Sequence, residues 1–144
     1  MSVGRYEKGR RLEPKRSFRK LAVWETAKSF ALDIYKHTAN FPKEEVFGLT
    51  SQLRRASVSI PANIAEGADR RHTKEFLQFL YVARGSLAEA EVYLDLALGL
   101  RYLEDAVFED LRIHASKVGK MLNGLINSLK DRLTTDNCQP PTDN

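Results

Sequence analysis

The chain has 144 residues, 42% of them hydrophobic and 29% charged, with a formal net charge of +4. This length predicts one domain with room for a hydrophobic core, and the low glycine and proline content favours helices over strands and turns. A single cysteine excludes an internal disulfide, as expected for a protein of the reducing cytoplasm. The chain also lacks the apolar segments of a signal peptide or a transmembrane helix, so we expect no membrane association.

The positive charge is concentrated at the start of the chain. Residues 1–20 contain eight Lys or Arg and two Glu, whereas residues 21–144 contain 15 basic and 17 acidic residues. Residues 1–17 are polar and show no hydrophobic periodicity, so we expect a disordered basic arm. Such arms bind nucleic acids or anionic surfaces, but they also occur as solvated tails that only aid solubility. The sequence leaves both interpretations open.

After this arm, apolar residues recur at spacings of three and four, which predicts amphipathic helices. We expect four of them, at about residues 18–39, 44–66, 73–99 and 104–133. Because helices joined by short turns fold back on one another, the expected fold is all-α, an antiparallel up-down-up-down four-helix bundle. The expected organisation is therefore a basic arm over residues 1–17, the bundle over residues 18–133 and a disordered polar tail over residues 134–144.

The predicted second helix has two features that affect its shape. Pro61 removes a backbone donor and clashes with the carbonyl of Ser57, which predicts a kink that costs about 3 kcal/mol if uncompensated. Such a kink would be shaped for a partner or a subunit contact; alternatively, Ser59 caps a new helix that begins near Pro61. We expect Gly67 to end the helix in a left-handed conformation.

The apolar face of this predicted second helix is formed by Val46, Leu49, Leu53, Ala56, Ile60 and Ile64.

Small residues mark a narrow strip on the predicted fourth helix. Ala115, Gly119 and Asn123 follow one another at a spacing of four. Because small side chains let backbones approach closely, the strip indicates tight helix packing. Packing inside one bundle and contact between two subunits both remain open.

A long stretch of the chain resembles a known family. It comprises FPKEEVFGLTSQLRRASVSIPANIAEGADR, from Phe41 to Arg70, and EFLQFLYVARGSLAEAE, from Glu75 to Glu91. These residues resemble the bacterial four-helix-bundle proteins encoded in intervening sequences of 23S ribosomal RNA genes. That family is related to the accessory variability proteins of diversity-generating retroelements. The resemblance covers about residues 18–132, and its most specific segments are Gln52–Arg55, Ser59–Gly67 and Gly85–Leu87.

The resemblance implies a bundle that assembles into a ring-shaped homopentamer in the cytoplasm, without known enzymatic activity. For the retroelement relatives it implies a basic surface that binds nucleic acid and a reverse-transcriptase partner. For the ribosomal-insert members, RNA binding is inferred from the location of their genes. The family offers no catalytic residues to carry over, and the basic arm lies outside its core.

Arginine pairs on and beyond the second helix are the candidate binding residues. We expect a phosphate-binding patch formed by Arg54 or Arg55 together with Arg70 and Arg71, because arginine binds phosphate through a bidentate fork. Adjacent residues point about 100° apart on a helix, so only one of Arg54 and Arg55 can share the direction of the other pair. The alternative is that one of these two arginines pairs with an acidic neighbour such as Glu66 or Glu89 and holds the bundle together. The arm would extend the patch through Arg10, Arg11, Lys15 and Arg16, together with Arg19 just after the arm.

Residue patterns typical of metal sites and enzymes are missing. A di-iron bundle needs paired Glu-x-x-His motifs, and the nearest match, Asp69-x-x-His72, lies at a helix boundary. Cys138 lies in the tail without a fixed base, and the serines lack the context of a nucleophile elbow or a P-loop. We therefore expect no metal, no cofactor and no enzymatic activity.

Two functions from different classes remain. The first is an oligomeric, non-enzymatic protein that binds nucleic acid, structured or ribosomal RNA in particular, through basic patches. The second is an oligomeric scaffold or accessory protein that recruits a protein partner such as a reverse transcriptase. Co-purification of nucleic acid with the protein would favour the first.

Overall fold

The computed structural model describes residues 6–7, 10–11 and 18–137. Within these residues the chain forms four long helices, α1 (Ala22–Thr38), α2 (Leu49–Ala68), α3 (Thr73–Gly99) and α4 (Asp105–Asn137). Short 3₁₀ turns at Phe18–Lys20 and Lys43–Glu45 precede α1 and α2.

The described part of the arm contains two very short strands. β1 (Tyr6–Glu7) and β2 (Arg10–Arg11) pair in antiparallel register, with Tyr6 opposite Arg11. The other arm residues lie outside the described part of the chain, as do residues 138–144 of the predicted tail. For these residues outside the described part, the predicted disorder of the arm and the tail stays a prediction.

The helices pack as an antiparallel bundle, which confirms the predicted fold. Consecutive helices contact one another, and α1 also contacts α4, so the bundle closes on itself. Apolar side chains from all four helices fill the centre, as the three-four spacing predicts. Its largest fully buried residues include Phe30, Ile34, Leu53, Ile60, Ile64, Leu80, Leu94, Leu111, Leu122 and Ile126.

The second helix begins later than the sequence predicted. Gly48 has a non-helical backbone (φ −112°, ψ −117°), so α2 starts at Leu49 rather than near residue 44. The carboxylate of Glu45 accepts a hydrogen bond from the Leu49 backbone nitrogen at 2.8 Å, and it thereby satisfies one unpaired donor of the first turn. Val46 was expected on the buried face of α2, but it precedes the helix and is 50% exposed.

Pro61 lies inside a single continuous helix, so the alternative of a new helix capped by Ser59 is wrong. Hydrogen bonds stabilise the chain around it. The amide of Asn63 donates to the carbonyl and to the hydroxyl of Ser59, at 2.8 and 2.9 Å. The hydroxyl of Ser86 on α3 donates to the Ser59 hydroxyl at 2.9 Å. Residues of the most specific family segments thus join α2 to α3.

Gly67 does not end α2 in a left-handed conformation, and that prediction is wrong. The helix continues to Ala68, and its C-cap Asp69 has a right-handed backbone. Gly67 is instead buried where α2 crosses α3. A Cβ atom at this position would lie 2.7 Å from Cβ of Phe79 and 2.8 Å from Cδ2 of Phe76. The glycine therefore permits a close approach of the two helices.

The strip of small residues on α4 faces α3 within the same bundle. Ala115 is fully buried, and a Cβ atom on Gly119 would lie 3.3 Å from Cδ2 of Leu87. Asn123 accepts a hydrogen bond from Arg84 of α3 at 3.3 Å. The strip is therefore explained by packing inside one bundle.

The last helix is longer than expected and ends at Asn137 rather than near residue 133. Thr134 and Thr135 donate their hydroxyl hydrogens to the carbonyls of Lys130 and Asp131, at 3.1 and 2.9 Å. Threonine can therefore remain in the helix, where its hydroxyl bonds to the preceding turn.

Candidate nucleic-acid interface

The antiparallel order gives the bundle two ends of different charge. The start of α1, the end of α2, the start of α3 and the C-terminal part of α4 meet at one end. We call residues 18–21, 69–74 and 128–132 the basic end, because they contain seven Lys or Arg and two Asp. At the opposite end, residues 39–48 and 100–105 contain four Asp or Glu and two Lys or Arg, and we call them the acidic end.

A cavity of about 240 Å³ opens at the basic end. Its walls combine apolar and aromatic side chains with three arginines. The lining residues are Phe18, Leu21, Ala68, Arg70, Arg71, His72, Thr73, Phe76, Leu125, Ser128, Leu129 and Arg132. Helix α3 begins at Thr73 without a side-chain cap, so the positive end of its dipole adds to the local potential. The walls of the cavity thus combine apolar side chains with cationic and hydroxyl-bearing ones.

The three arginines at the cavity differ in their partners. Arg70 forms an ion pair with Glu66 at 3.1 Å, and its guanidinium lies 4.9 Å from the ring centroid of Phe79. Arg71 and Arg132 are exposed, and neither forms a hydrogen bond or an ion pair with the residues that the structure describes. Two guanidinium groups beside the cavity are therefore available to an anion.

An aromatic pair forms the edge of this site on the α1 side. The rings of Phe18 and Trp24 meet edge to face, with centroids 4.8 Å apart. The guanidinium of Arg19 lies 4.7 Å from the Phe18 ring centroid, which is within cation–π distance. Arg19, one of the predicted site residues, therefore belongs to the basic end.

The predicted patch is not assembled as one surface. Arg54 and Arg55 precede Arg70 and Arg71 by about four turns of α2, or about 24 Å along the helix axis. Arg54 contacts the C-terminal part of α1, whereas the second pair lies beside the start of that helix. Two of the predicted arginines therefore meet at the basic end and two lie elsewhere.

Arg54 has a structural role, as the alternative interpretation expected, but its partners are residues of α1 rather than an acidic side chain. Its Nε donates to Oγ1 of buried Thr38 at 2.8 Å, and its guanidinium lies 4.6 Å from the ring centroid of Tyr35. Thr38 in turn donates to the carbonyl of Ile34 at 2.7 Å. The expected pairing of Arg54 or Arg55 with Glu66 or Glu89 is absent from the described residues, since Glu66 binds Arg70. Arg55 is exposed on the outer face of α2.

Mutations of the two neighbouring arginines are expected to differ in their effect on stability. Arg54→Ala is expected to lower the free energy of unfolding by about 1–2 kcal/mol, because it removes hydrogen bonds to Thr38 and to the Tyr35 carbonyl. Arg55→Ala is expected to change it by less than about 0.5 kcal/mol. Urea denaturation of both variants measures the difference. Equal stability of the two variants would contradict the role given to Arg54.

The remaining predicted site residues belong to the arm. Arg10 and Arg11 form β2, whereas Lys15 and Arg16 lie outside the described residues. The expected contribution of these four residues to binding stays a prediction.

Arg132 was not among the predicted site residues, although the sequence contains a signal for it. Leu125, Leu129 and Arg132 follow one another at spacings of four and three, so the arginine continues the stripe that lines the cavity opposite the segment before α1. A second cationic surface on α4, formed by Arg112, Lys117 and Lys120, was also missed. Hydrogen bonds from Arg112 hold the pKa of Glu109 below its usual value, so this ion pair neutralises part of that surface.

The described residues show neither a metal cluster nor a membrane span. No three His, Cys, Asp or Glu side chains converge among them. No helix in this part of the chain combines the length and the apolar character needed to cross a bilayer.

Fold and site together define a class, an all-α four-helix bundle with a cationic cavity at one end. The family described as "23S rRNA-intervening sequence protein" matches residues 19–124. The chain therefore belongs to that family, and the resemblance seen in its sequence is confirmed.

A crystal structure from Bacteroides thetaiotaomicron VPI-5482 is similar to this chain. It is described as a protein of unknown function from the S23 ribosomal protein family. The two chains share 26% sequence identity and superpose with a TM-score of 0.66, over 73% of this chain and 98% of the other. No curated protein matches the chain.

Proposed function

We propose that this protein is a non-enzymatic RNA-binding protein of the cytoplasm that holds RNA phosphates at its basic end. The observation that carries the proposal is the pair of unpaired arginines, Arg71 and Arg132, beside a cavity at that end. The name of the family connects it with ribosomal RNA and supports RNA as the ligand.

The charge distribution supports a defined binding orientation. Arginine offers a planar fork of donors that matches two phosphate oxygens, and it remains charged at every physiological pH. The acidic end repels phosphate, because Glu44, Glu45, Glu104 and Asp105 all lie there. An RNA strand therefore approaches the end from which the basic arm also departs.

A salt titration of RNA binding tests the proposal. We expect the logarithm of the association constant for structured RNA to fall linearly with the logarithm of the salt concentration, because bound phosphates release counterions. Deletion of residues 1–17 is expected to make this salt dependence less steep. The bundle alone is expected to retain the remaining salt dependence. If the full chain binds no RNA even at low salt, the proposal is wrong and protein partners become the alternative.

We further propose that the bundle self-associates, in keeping with the homopentameric ring that the family resemblance implies. Large apolar side chains are exposed toward the acidic end. Phe47 is 97% exposed and Val46 50%, and Leu96 and Leu100 near the end of α3 are 51% and 54% exposed. Exposed apolar surface at one end of a bundle marks a protein contact where the side chains lie together.

Phe47→Ser is expected to shift the protein toward the monomer, because it removes the most exposed large apolar side chain of the described residues. Sedimentation velocity over a range of concentrations measures the shift. Leu32→Ser serves as the matched control, since Leu32 is 62% exposed and lies in the interior of α1, outside the acidic end. If Phe47→Ser leaves the association unchanged, this residue does not contribute to the contact.

A further inference from the structure

The cavity at the basic end has features that phosphate binding alone does not require. A flat surface of arginines suffices for phosphate, because a phosphate is bound through charge and hydrogen bonds. This cavity is instead concave, and its walls include the aromatic side chains of Phe18 and Phe76 and the aliphatic side chains of Leu125 and Leu129. Apolar walls of this kind accept a group that is itself flat and weakly hydrated.

Nucleobases fit that description, and they are accessible only when unpaired. Bases of an RNA duplex are stacked inside the helix, and the deep, narrow major groove keeps side chains from reading them. Unpaired bases of loops, bulges and single strands instead stack on aromatic rings and on guanidinium planes. The guanidinium of Arg19 lies 4.7 Å from the Phe18 ring centroid, so an aromatic ring and a guanidinium adjoin at the edge of the cavity.

The size of the cavity limits what enters it. At about 240 Å³ it is smaller than pockets for drug-sized ligands, which measure about 300–1,000 Å³. A single base therefore fits inside, and the sugar and phosphates remain at the mouth. Arg71 and Arg132 lie beside the cavity, where the flanking phosphates would be.

We propose that this cavity binds one unpaired nucleobase of an RNA chain, while Arg71 and Arg132 hold the phosphates on either side of it. This inference rests on the proposed function and makes it specific, because it assigns the basic end a preference for unpaired RNA over duplex RNA. Ser128 and Thr73 line the same cavity and offer hydroxyl groups to the edge of the base.

Filling the cavity without changing its charge tests the inference. Ser128→Phe places a ring in the space that the base would occupy, because Ser128 lines the cavity from α4. Asn127→Phe is the matched control, since Asn127 is the exposed neighbour of Ser128 and does not line the cavity. Phe18→Ala is a second variant, which removes a stacking surface at the edge of the cavity instead of filling it. Circular dichroism and thermal unfolding establish that the full-length variants are folded.

The probes are a single-stranded oligouridylate and an RNA duplex of matched length, each measured by fluorescence anisotropy at one fixed salt concentration. Ser128→Phe and Phe18→Ala are each expected to weaken oligouridylate binding about ten-fold, because stacking contributes about 1–3 kcal/mol per base. We expect these two variants to bind the duplex as tightly as the unmodified protein does. We expect Asn127→Phe to bind both the oligouridylate and the duplex as tightly as the unmodified protein does.

The outcomes separate this inference from the proposed function. If the unmodified protein binds both probes and Ser128→Phe binds them equally well, the cavity holds no base, although RNA binding stands. A similar loss for both probes would also overturn the inference, since the cavity would not distinguish unpaired RNA from duplex RNA. If the unmodified protein binds neither probe, the proposed function and the inference both fail.

Discussion

Gly67→Ala is expected to destabilise the bundle by about 1–3 kcal/mol, although alanine is normally the better helix residue. The added Cβ would lie 2.7 Å from Cβ of Phe79 and 2.8 Å from Cδ2 of Phe76. Cβ of Phe79 is bonded directly to the backbone, and Cδ2 of Phe76 belongs to a packed ring, so neither atom can easily move aside. Helices α2 and α3 must therefore separate to relieve the overlap. The gain in helix propensity, about 1 kcal/mol, offsets only part of this cost.

Gly85→Ala provides the matched control for this prediction. Gly85 lies in the interior of α3, and a Cβ there meets no atom of the described residues within 4 Å. We expect this change to stabilise the protein by up to about 1 kcal/mol. Urea denaturation measures both changes in the free energy of unfolding. The comparison requires that the slope of this free energy against urea concentration is the same for the variants and the unmodified protein. If Gly67→Ala proves as stable as Gly85→Ala, Gly67 is not needed for the close approach of the two helices.

The double variant Arg71→Gln with Arg132→Gln is expected to weaken RNA binding by on the order of 10- to 100-fold at low salt. Both guanidinium groups lie beside the cavity without a partner among the described residues, so they can contact phosphate without breaking an ion pair. For single-stranded RNA, the salt slope should fall by about 1.4, because each lost phosphate contact contributes about 0.7.

A control with the same change in net charge distinguishes a local effect from a general one. Lys36→Gln with Lys43→Gln also removes two positive charges, from exposed positions near the acidic end. We expect this variant to bind RNA within about two-fold of the unmodified protein, because charges more than a Debye length of about 10 Å away are screened. Equal losses in the two double variants would show that net charge, rather than the basic end, determines affinity.

Hydrophobic periodicity was sufficient to predict the bundle, because the positions of its buried residues follow directly from the helical repeat. It could not predict how closely two helices approach. Gly67 was therefore interpreted as a cap, since glycine after an apolar stripe is common at helix ends. Its function in the fold depends on Phe76 and Phe79, whose positions opposite α2 follow only from the three-dimensional packing.

The candidate site was predicted in part for a related reason. Arg70 and Arg71 are adjacent in sequence and were recognised as a pair, whereas Arg132 joins them only because α4 returns to the same end of the bundle. Arg54 was included because its charge is visible in the sequence, but its hydrogen bond to Thr38 of α1 is not. Residue type thus identified the cations, and the fold determined which of them are available for binding.

Photo-crosslinking tests the central claim most directly, since it locates bound RNA on the protein surface. The full-length protein would be irradiated with RNA that contains 4-thiouridine, and the crosslinked peptides would be identified by mass spectrometry. The account predicts crosslinks within residues 18–21, 68–76 and 125–132, which form the basic end and its cavity. Crosslinks confined to residues 39–48 and 100–105, at the acidic end, would contradict it.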